Sequence, residues 1–154
     1  MNYLNGKYDC KVDANGRLLF PINLKKQLSS TIDDGFVIRE SIFDPCLELF
    51  PTSEWEKEID KLTKLNPFNT KDRILIKKFS SGMNVELDNN GRMLIPVDMK
   101  KNKKISKDII LVATINIIEI WDKQTYDDII NNTEIDIVAL AEERLGQITK
   151  EEIK

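Results

Sequence analysis

Two stretches of this chain carry the residue types needed to recognise a polyanion. "DANGRLLFP" begins at Asp13, and "DNNGRMLIP" begins at Asp88, 75 residues further on. In each, D-x-x-G-R sets an aspartate at one end of a tight turn and an arginine at the other. The aspartate can accept hydrogen bonds from the turn amides and fix the loop. It can also brace the arginine through a fork-shaped ion pair. Arginine is planar, permanently charged and weakly hydrated, which suits a phosphate or the edge of guanine. Arg17 and Arg92 are therefore candidate DNA contacts, with Asp13 and Asp88 as their braces. Lys25-Lys26 and Lys100-Lys101 follow the arginines and are candidate phosphate contacts, which position without reading sequence. Lys77, Lys78, Lys103 and Lys104 carry a weaker form of the same argument. A single such turn reads as a structural ion pair. Its duplication points to function, because a turn needs only Asn-Gly, not the same acid, arginine, proline and lysines around it.

Other chemistries find no support. Histidine is absent, which excludes Ser-His, Cys-His and His-metal mechanisms within one chain. Cys10 and Cys46 are too few for a disulfide scaffold and lack metal-ligand spacing, so they read as buried free thiols. Asp13 and Asp88 brought together would resemble two carboxylates sharing a proton. Aspartic dyads use D-T/S-G, however, and a neighbouring arginine would depress each carboxylate rather than split the pair. There is no nucleotide-binding glycine loop. The expectation is a protein that is not an enzyme and needs no cofactor or metal.

The elements that must position these loops follow from the repeat. Residues 8–28 align with 83–103, with Val12 opposite Leu87, Phe20 opposite Ile95 and Leu24 opposite Met99. Beyond a gap, "LELF" at 47–50 matches "IEIW" at 118–121, and Trp55 falls opposite Tyr126. Each copy begins with an extended run that meets Asn-Gly, a hairpin signal whose residues accept positive φ. A short apolar strand follows, and proline then opens a short helix. Leu24 and Leu28 share one face of it, leaving Lys25 and Lys26 towards water. Two more strands complete each copy, "GFVIRES" with "CLELF" and "DIILVAT" with "IIEIW". Ser53 with Glu56 predicts a capped helix to about Leu65. Thr70 predicts the cap of a second, "KDRILIKKF". A helix is expected near Asp122, and another, capped by Thr133 with Asp136, to about Leu145, before a frayed tail. Trp55, Trp121 and Tyr126 read as core or subunit-contact residues. Glu142, Glu143, Glu151 and Glu152 read as a solvated end.

A four-stranded unit has little core of its own. The expected class is α+β, with two tandem units interleaving strands about a pseudo-two-fold axis and helices flanking them. The expected boundaries are 7–53 for unit one, 54–81 for connecting helices, 82–125 for unit two, 126–145 for a C-terminal helix and 146–154 for a tail. The net charge of −3 conceals blocks of +3 over 1–30, −5 over 31–70, +5 over 71–104 and −6 over 105–154. Both basic blocks hold a copy of the repeat. The local field decides polyanion contact, since salt screens charges beyond about 8–10 Å. No apolar run is long enough to cross a bilayer and none has signal-peptide form, so a cytoplasmic protein is expected.

At this point the residues resemble a known family. The paired "VDANGRLLFP" and "LDNNGRMLIP", the "LNGKY" start and the "IEIW" strand are similar to the MraZ family from Leu4 to about Leu145. The resemblance rests on two ordered D-x-x-x-R motifs. It implies two SpoVT-AbrB units in a swapped-hairpin β-barrel, assembled as a homo-oligomeric ring. It also implies a sequence-specific transcriptional regulator, typically a repressor, of the division and cell wall gene cluster. Such a regulator binds double-stranded DNA at repeated promoter boxes through the loops at Asp13–Arg17 and Asp88–Arg92. It is cytoplasmic, nucleoid-associated and without a membrane partner. Asparagine precedes each glycine here, where many relatives carry a basic or polar residue. An alternative is an interaction module of MazE antitoxin type, whose acidic C-terminal part would neutralise a basic toxin. The complete second repeat argues against it.

Overall fold

Period-two alternation of apolar and polar residues becomes strands with one buried face. The computed structural model describes residues 3–153. The first copy of the repeat forms β1 (Lys7–Lys11), β2 (Arg17–Leu19), α1 (Ile22–Gln27), β3 (Phe36–Glu40) and β4 (Leu47–Pro51). Helices α2 (Thr52–Leu62) and α3 (Thr70–Phe79) lead to the second copy. That copy forms β5 (Gly82–Val85), β6 (Arg92–Leu94), α4 (Val97–Asn102), β7 (Asp108–Thr114) and β8 (Ile117–Asp122). After it come α5 (Lys123–Tyr126), a π-helical turn and α6 (Ile137–Ile153).

Six antiparallel strands form one sheet in the order β1-β7-β8-β4-β3-β5, and β2 pairs with β6 in a separate ribbon. The first strand of each copy therefore pairs with the other copy: Cys10 lies opposite Ile109, and Val85 opposite Phe36. The order is unchanged when the copies are interchanged. A pseudo-two-fold axis thus passes between β4 and β8, where Glu48 faces Glu119, and through the ribbon, where Leu18 faces Met93. The barrel expectation is corrected here. Among the described residues the large sheet ends at β1 and β5, and no closed barrel forms. Pro21 and Pro96 cut the ribbon short, and proline has no amide to extend a ladder.

The exchange gives both copies one core. Leu18, Met93 and Ile95 of the ribbon region, Leu24 of α1 and Ile38, Leu49, Leu111 and Ile120 of the sheet are fully buried. Each such side chain contributes about 1.5–3 kcal/mol. Helix α1 has six residues and would not persist alone; buried Leu24 and Leu28 hold it, as expected. On the opposite face of the sheet, Trp121 packs edge-on against Tyr126 at 5.3 Å, and Phe50 against Trp55 at 5.4 Å. These pairs occupy corresponding places in the two copies, and both belong to packed structure.

Several helix ends differ from expectation. Helix α2 starts at Thr52 after Pro51, and no side chain caps it, so Ser53 and Glu56 form no capping box. The Thr52 hydroxyl instead donates to the Gly35 carbonyl at 3.0 Å. Asn69, not Thr70, caps α3 by accepting the Asp72 amide at 3.1 Å; asparagine is the stronger cap. Asp136 accepts the Ala139 amide at 3.1 Å and starts α6, while Thr133 only closes a local turn on Ile135. Helix α6 continues through the stretch expected to fray. Gly146 costs it about 1 kcal/mol, but glutamine, lysine and glutamate around it favour helix. Glu142, Glu143 and Glu151 are exposed. The Glu152 side chain and Lys154 lie outside the described residues.

Candidate nucleic-acid interface

The two D-x-x-G-R loops are built alike. The Asp13 carboxylate accepts the Asn15 amide at 2.9 Å and the Arg17 amide at 3.0 Å. The Asp88 carboxylate accepts the Asn90 and Arg92 amides at the same distances. The Asp13 amide donates to the Arg17 carbonyl at 2.8 Å, as the Asp88 amide does to Arg92. Gly16 and Gly91 donate to the carbonyls of their own aspartates at 3.0 Å. This is a type I turn followed by a left-handed residue, the three-residue hairpin loop. Gly16 (φ 79°) and Gly91 (φ 74°) take the positive φ. Asn15 and Asn90 do not, so the expectation that asparagine shares the left-handed conformation is corrected.

The ribbon joins the loops. Arg17 pairs with Leu94 and Leu19 with Arg92. The Phe20 amide donates to the Gly91 carbonyl and the Ile95 amide to the Gly16 carbonyl, each at 3.0 Å. Both arginines are half-exposed on this one surface. The expected brace exists in altered form. Arg92 Nη1 lies 3.5 Å from Asp13 Oδ2, an ion pair between copies rather than within one loop, and a single contact rather than a fork. The two side chains are 42% and 35% exposed, so water weakens the pair. No matching pair of Arg17 with Asp88 lies within 4.0 Å among the described residues. The amide of Arg17 is the main cause that holds the Asp13 carboxyl below the usual aspartate range, and the amide of Arg92 does the same for Asp88. Both carboxylates are therefore ionised at neutral pH, which disfavours a shared-proton dyad.

The lysines divide. Lys25 is half-exposed and its ammonium overhangs the other copy's loop, 3.0 Å from where a Cβ on Gly91 would stand. Lys100 is also half-exposed and lines a cleft with Asp13 and Arg92. Lys26 and Lys101 are exposed. Lys103 is corrected to a structural role, because its ammonium donates to the carbonyls of Ser41 at 2.7 Å and Asp44 at 3.1 Å. Lys104 has a positive φ of 54° at the end of α4, and Lys77 and Lys78 lie exposed on the last turn of α3.

Two features escaped the sequence reading. Lys7, Lys11 and Lys107 share the cleft with Arg92 and Lys100. Lys107 belongs to the acidic block, so the block average hid it. Arg39 is buried, with its guanidinium bonded to Glu48 at 2.9 Å, Glu58 at 3.3 Å and the Phe79 carbonyl at 2.7 Å. Its place inside the apolar run "GFVIRES" was the available signal. Of the two thiols expected to be buried, Cys46 is and Cys10 is half-buried; burial pushes Cys10 up to about 11 and raises Cys46 further. Among the described residues, no group of three or more His, Cys, Asp or Glu can hold a metal ion.

Comparison with known proteins agrees with this two-copy arrangement. The family model for MraZ protein, described as antitoxin-like, matches twice in tandem, over residues 3–78 and 79–148. The Transcriptional regulator MraZ of Flavobacterium psychrophilum is 44% identical over 99% of this chain and 98% of its own length. That of Christiangramia forsetii is 46% identical over 93% of both chains. That of Cytophaga hutchinsonii is 36% identical over 98% of this chain and all of its own. With two matched copies, two equivalent loops and relatives of this similarity along nearly its whole length, the chain belongs to the MraZ family.

Proposed function

We propose that this chain is a transcriptional regulator that binds double-stranded DNA sequence-specifically through its two D-x-x-x-R loops. The observation that carries the reading is the ribbon, which sets Arg17 and Arg92 on one surface with equivalent turns beneath them. Guanine edges are the targets suited to the arginines. Phosphates suit Lys25, Lys26, Lys100 and Lys101. The relatives' name as transcriptional regulators supports the same reading. The family resemblance extends it to repression of the division and cell wall gene cluster at repeated promoter boxes, by a protein associated with the nucleoid. No helix among the described residues is long and apolar enough to cross a membrane.

Two arginines and a few lysines are too few for tight operator binding by one chain. A homo-oligomeric ring solves this by tethering several such surfaces, which raises effective concentration when repeated boxes match their spacing. Within each protomer we assign 7–53 and 82–125 to the two SpoVT-AbrB units. The test is footprinting and gel-shift titration on the DNA upstream of the chain's own gene. Arg17→Ala and Arg92→Ala should each weaken specific binding by about 1–3 kcal/mol per lost guanine contact. Unchanged affinity in the double variant would overturn the assignment.

A further inference from the structure

The two flanks of the arginine ribbon, related by the pseudo-two-fold axis, differ in the sign of their charge at two pairs of positions. On the first flank a cleft with a volume of about 1240 Å³ lies along the edge strand β1; its cations include Lys11, Arg92, Lys100 and Lys107. Lys11 and Lys107 are exposed neighbours. Lys11 lies opposite Asp108, and the next amide, of Val12, donates to the Lys107 carbonyl at 2.8 Å. Because Cys10 faces Ile109 as Val85 faces Phe36, the axis carries Lys11 onto Glu86 and Lys107 onto Asp34. Glu86 and Asp34 are exposed and line a hollow of about 350 Å³ along the edge strand β5. The axis carries that hollow onto a smaller one lined by Asp9, Lys11, Asp108 and Lys123, and it carries Arg92 and Lys100 onto Arg17 and Lys25, so the flanks differ in sign only at Lys11/Glu86 and Lys107/Asp34. The acids of the first cleft are partnered: Asp13 lies 3.5 Å from Arg92, and Asp9 3.4 Å from Lys123. Lys11 approaches Asp108 only to 3.9 Å, with both side chains over 60% exposed, a pair that water screens.

We propose that Lys11 and Lys107 form a one-sided seat for the phosphate backbone, so that a duplex read by the ribbon runs over β1 and not over β5. This rests on the DNA-binding reading above. The ribbon arginines are related by the pseudo-two-fold axis and offer similar contacts to a box in either orientation. The inverted charge at the flanks breaks that symmetry. A phosphate chain is attracted along Lys11 and Lys107 and repelled along Glu86 and Asp34. Each protomer therefore takes its box in one direction.

The test uses the full chain, a duplex from the DNA upstream of its own gene and a random-sequence duplex, titrated between about 50 and 200 mM salt, the range over which lost phosphate contacts register. Lys11→Ala with Lys107→Ala should weaken both duplexes by the same factor and flatten the log-log salt slope by about 1–2. Glu86→Lys with Asp34→Lys should leave the slope near the parent's and let the box bind in either direction, so that footprint protection divides between the two flanks. In hydroxyl-radical footprinting, Lys11→Glu with Glu86→Lys should move protection to the opposite flank of the box. If the lysine variants bind with the parent's slope while Arg17→Ala/Arg92→Ala loses specific binding, the seat is overturned and the DNA reading stands. If the parent binds neither duplex, both are overturned.

Discussion

The two copies of the repeat agree near the pseudo-two-fold axis and part company on the outer face of the sheet. At the loops, corresponding backbone and carboxylate hydrogen bonds have matching lengths. On the outer face, Arg39 of the first copy stands where the second has Val112. Arg39 is 4% exposed and is held by two carboxylates and the last carbonyl of α3. Its guanidinium lies 4.8, 5.5 and 5.2 Å from the ring centres of Phe50, Trp55 and Phe79. It ties α2 and α3 to the sheet. In the second copy a single-turn helix, α5, follows β8, and Glu119, the counterpart of Glu48, makes no ion pair among the described residues. It accepts the Trp121 indole N–H at 3.1 Å instead. Burial pushes its carboxyl up, and the nearby Asp44 and Glu48 charges add to that. The lesson is that the shared surface constrains both copies at once, while each outer face answers only to the helices that follow it.

Four experiments would break or sharpen this contrast. The largest effect belongs to Arg39→Ala. It leaves Glu48 without its cation in a nearly buried place, so stability should fall by about 3–5 kcal/mol. At about 2–4 °C per kcal/mol the loss is easily read in thermal unfolding. A small loss would mean that Arg39 is not the anchor of α2 and α3.

Next, Leu18→Ala and Met93→Ala remove facing residues on the axis. Each should cost about 2–5 kcal/mol, and denaturant midpoints should fall together. A loss confined to one variant would show that the shared core is not symmetric.

The third experiment concerns acid unfolding. The Asp13 and Asp88 carboxyls are held low in the folded state. Each therefore adds stability above the unfolded-chain value of about 3.9, and that stability disappears as pH falls through the lower folded value. Asp13→Asn and Asp88→Asn should each flatten the acid limb of stability. Asp13→Asn should do so more, because Asp13 also holds Arg92. Urea titrations across the acid range decide this.

The smallest effect is at Glu119. A raised carboxyl favours the folded state below the unfolded value and loses that advantage as pH rises through the folded one. Glu119→Gln should raise the melting temperature at neutral pH and leave it unchanged in acid. Glu48→Gln should lower it at neutral pH, since Arg39 then loses a charged partner.

Much of this molecule was legible in its residues because the signals are local. Asn-Gly between alternating runs specifies a hairpin wherever it occurs, and glycine alone tolerates the left-handed position there. Proline after each short strand ends it and leads into α1 or α4. Duplication made Asp13, Arg17, Asp88 and Arg92 stand out, and these loops occupy one surface.

Which residues meet across the axis depended on strand exchange, which acts over tens of residues and leaves no mark in a local pattern. Only the tertiary structure placed Arg92 against Asp13 of the other copy, left the sheet open and set Lys107 beside Lys11 from a block of opposite average charge. The physical reason is range. Turn chemistry is decided within about four residues, whereas packing and charge at a surface are summed over every segment that the fold brings there.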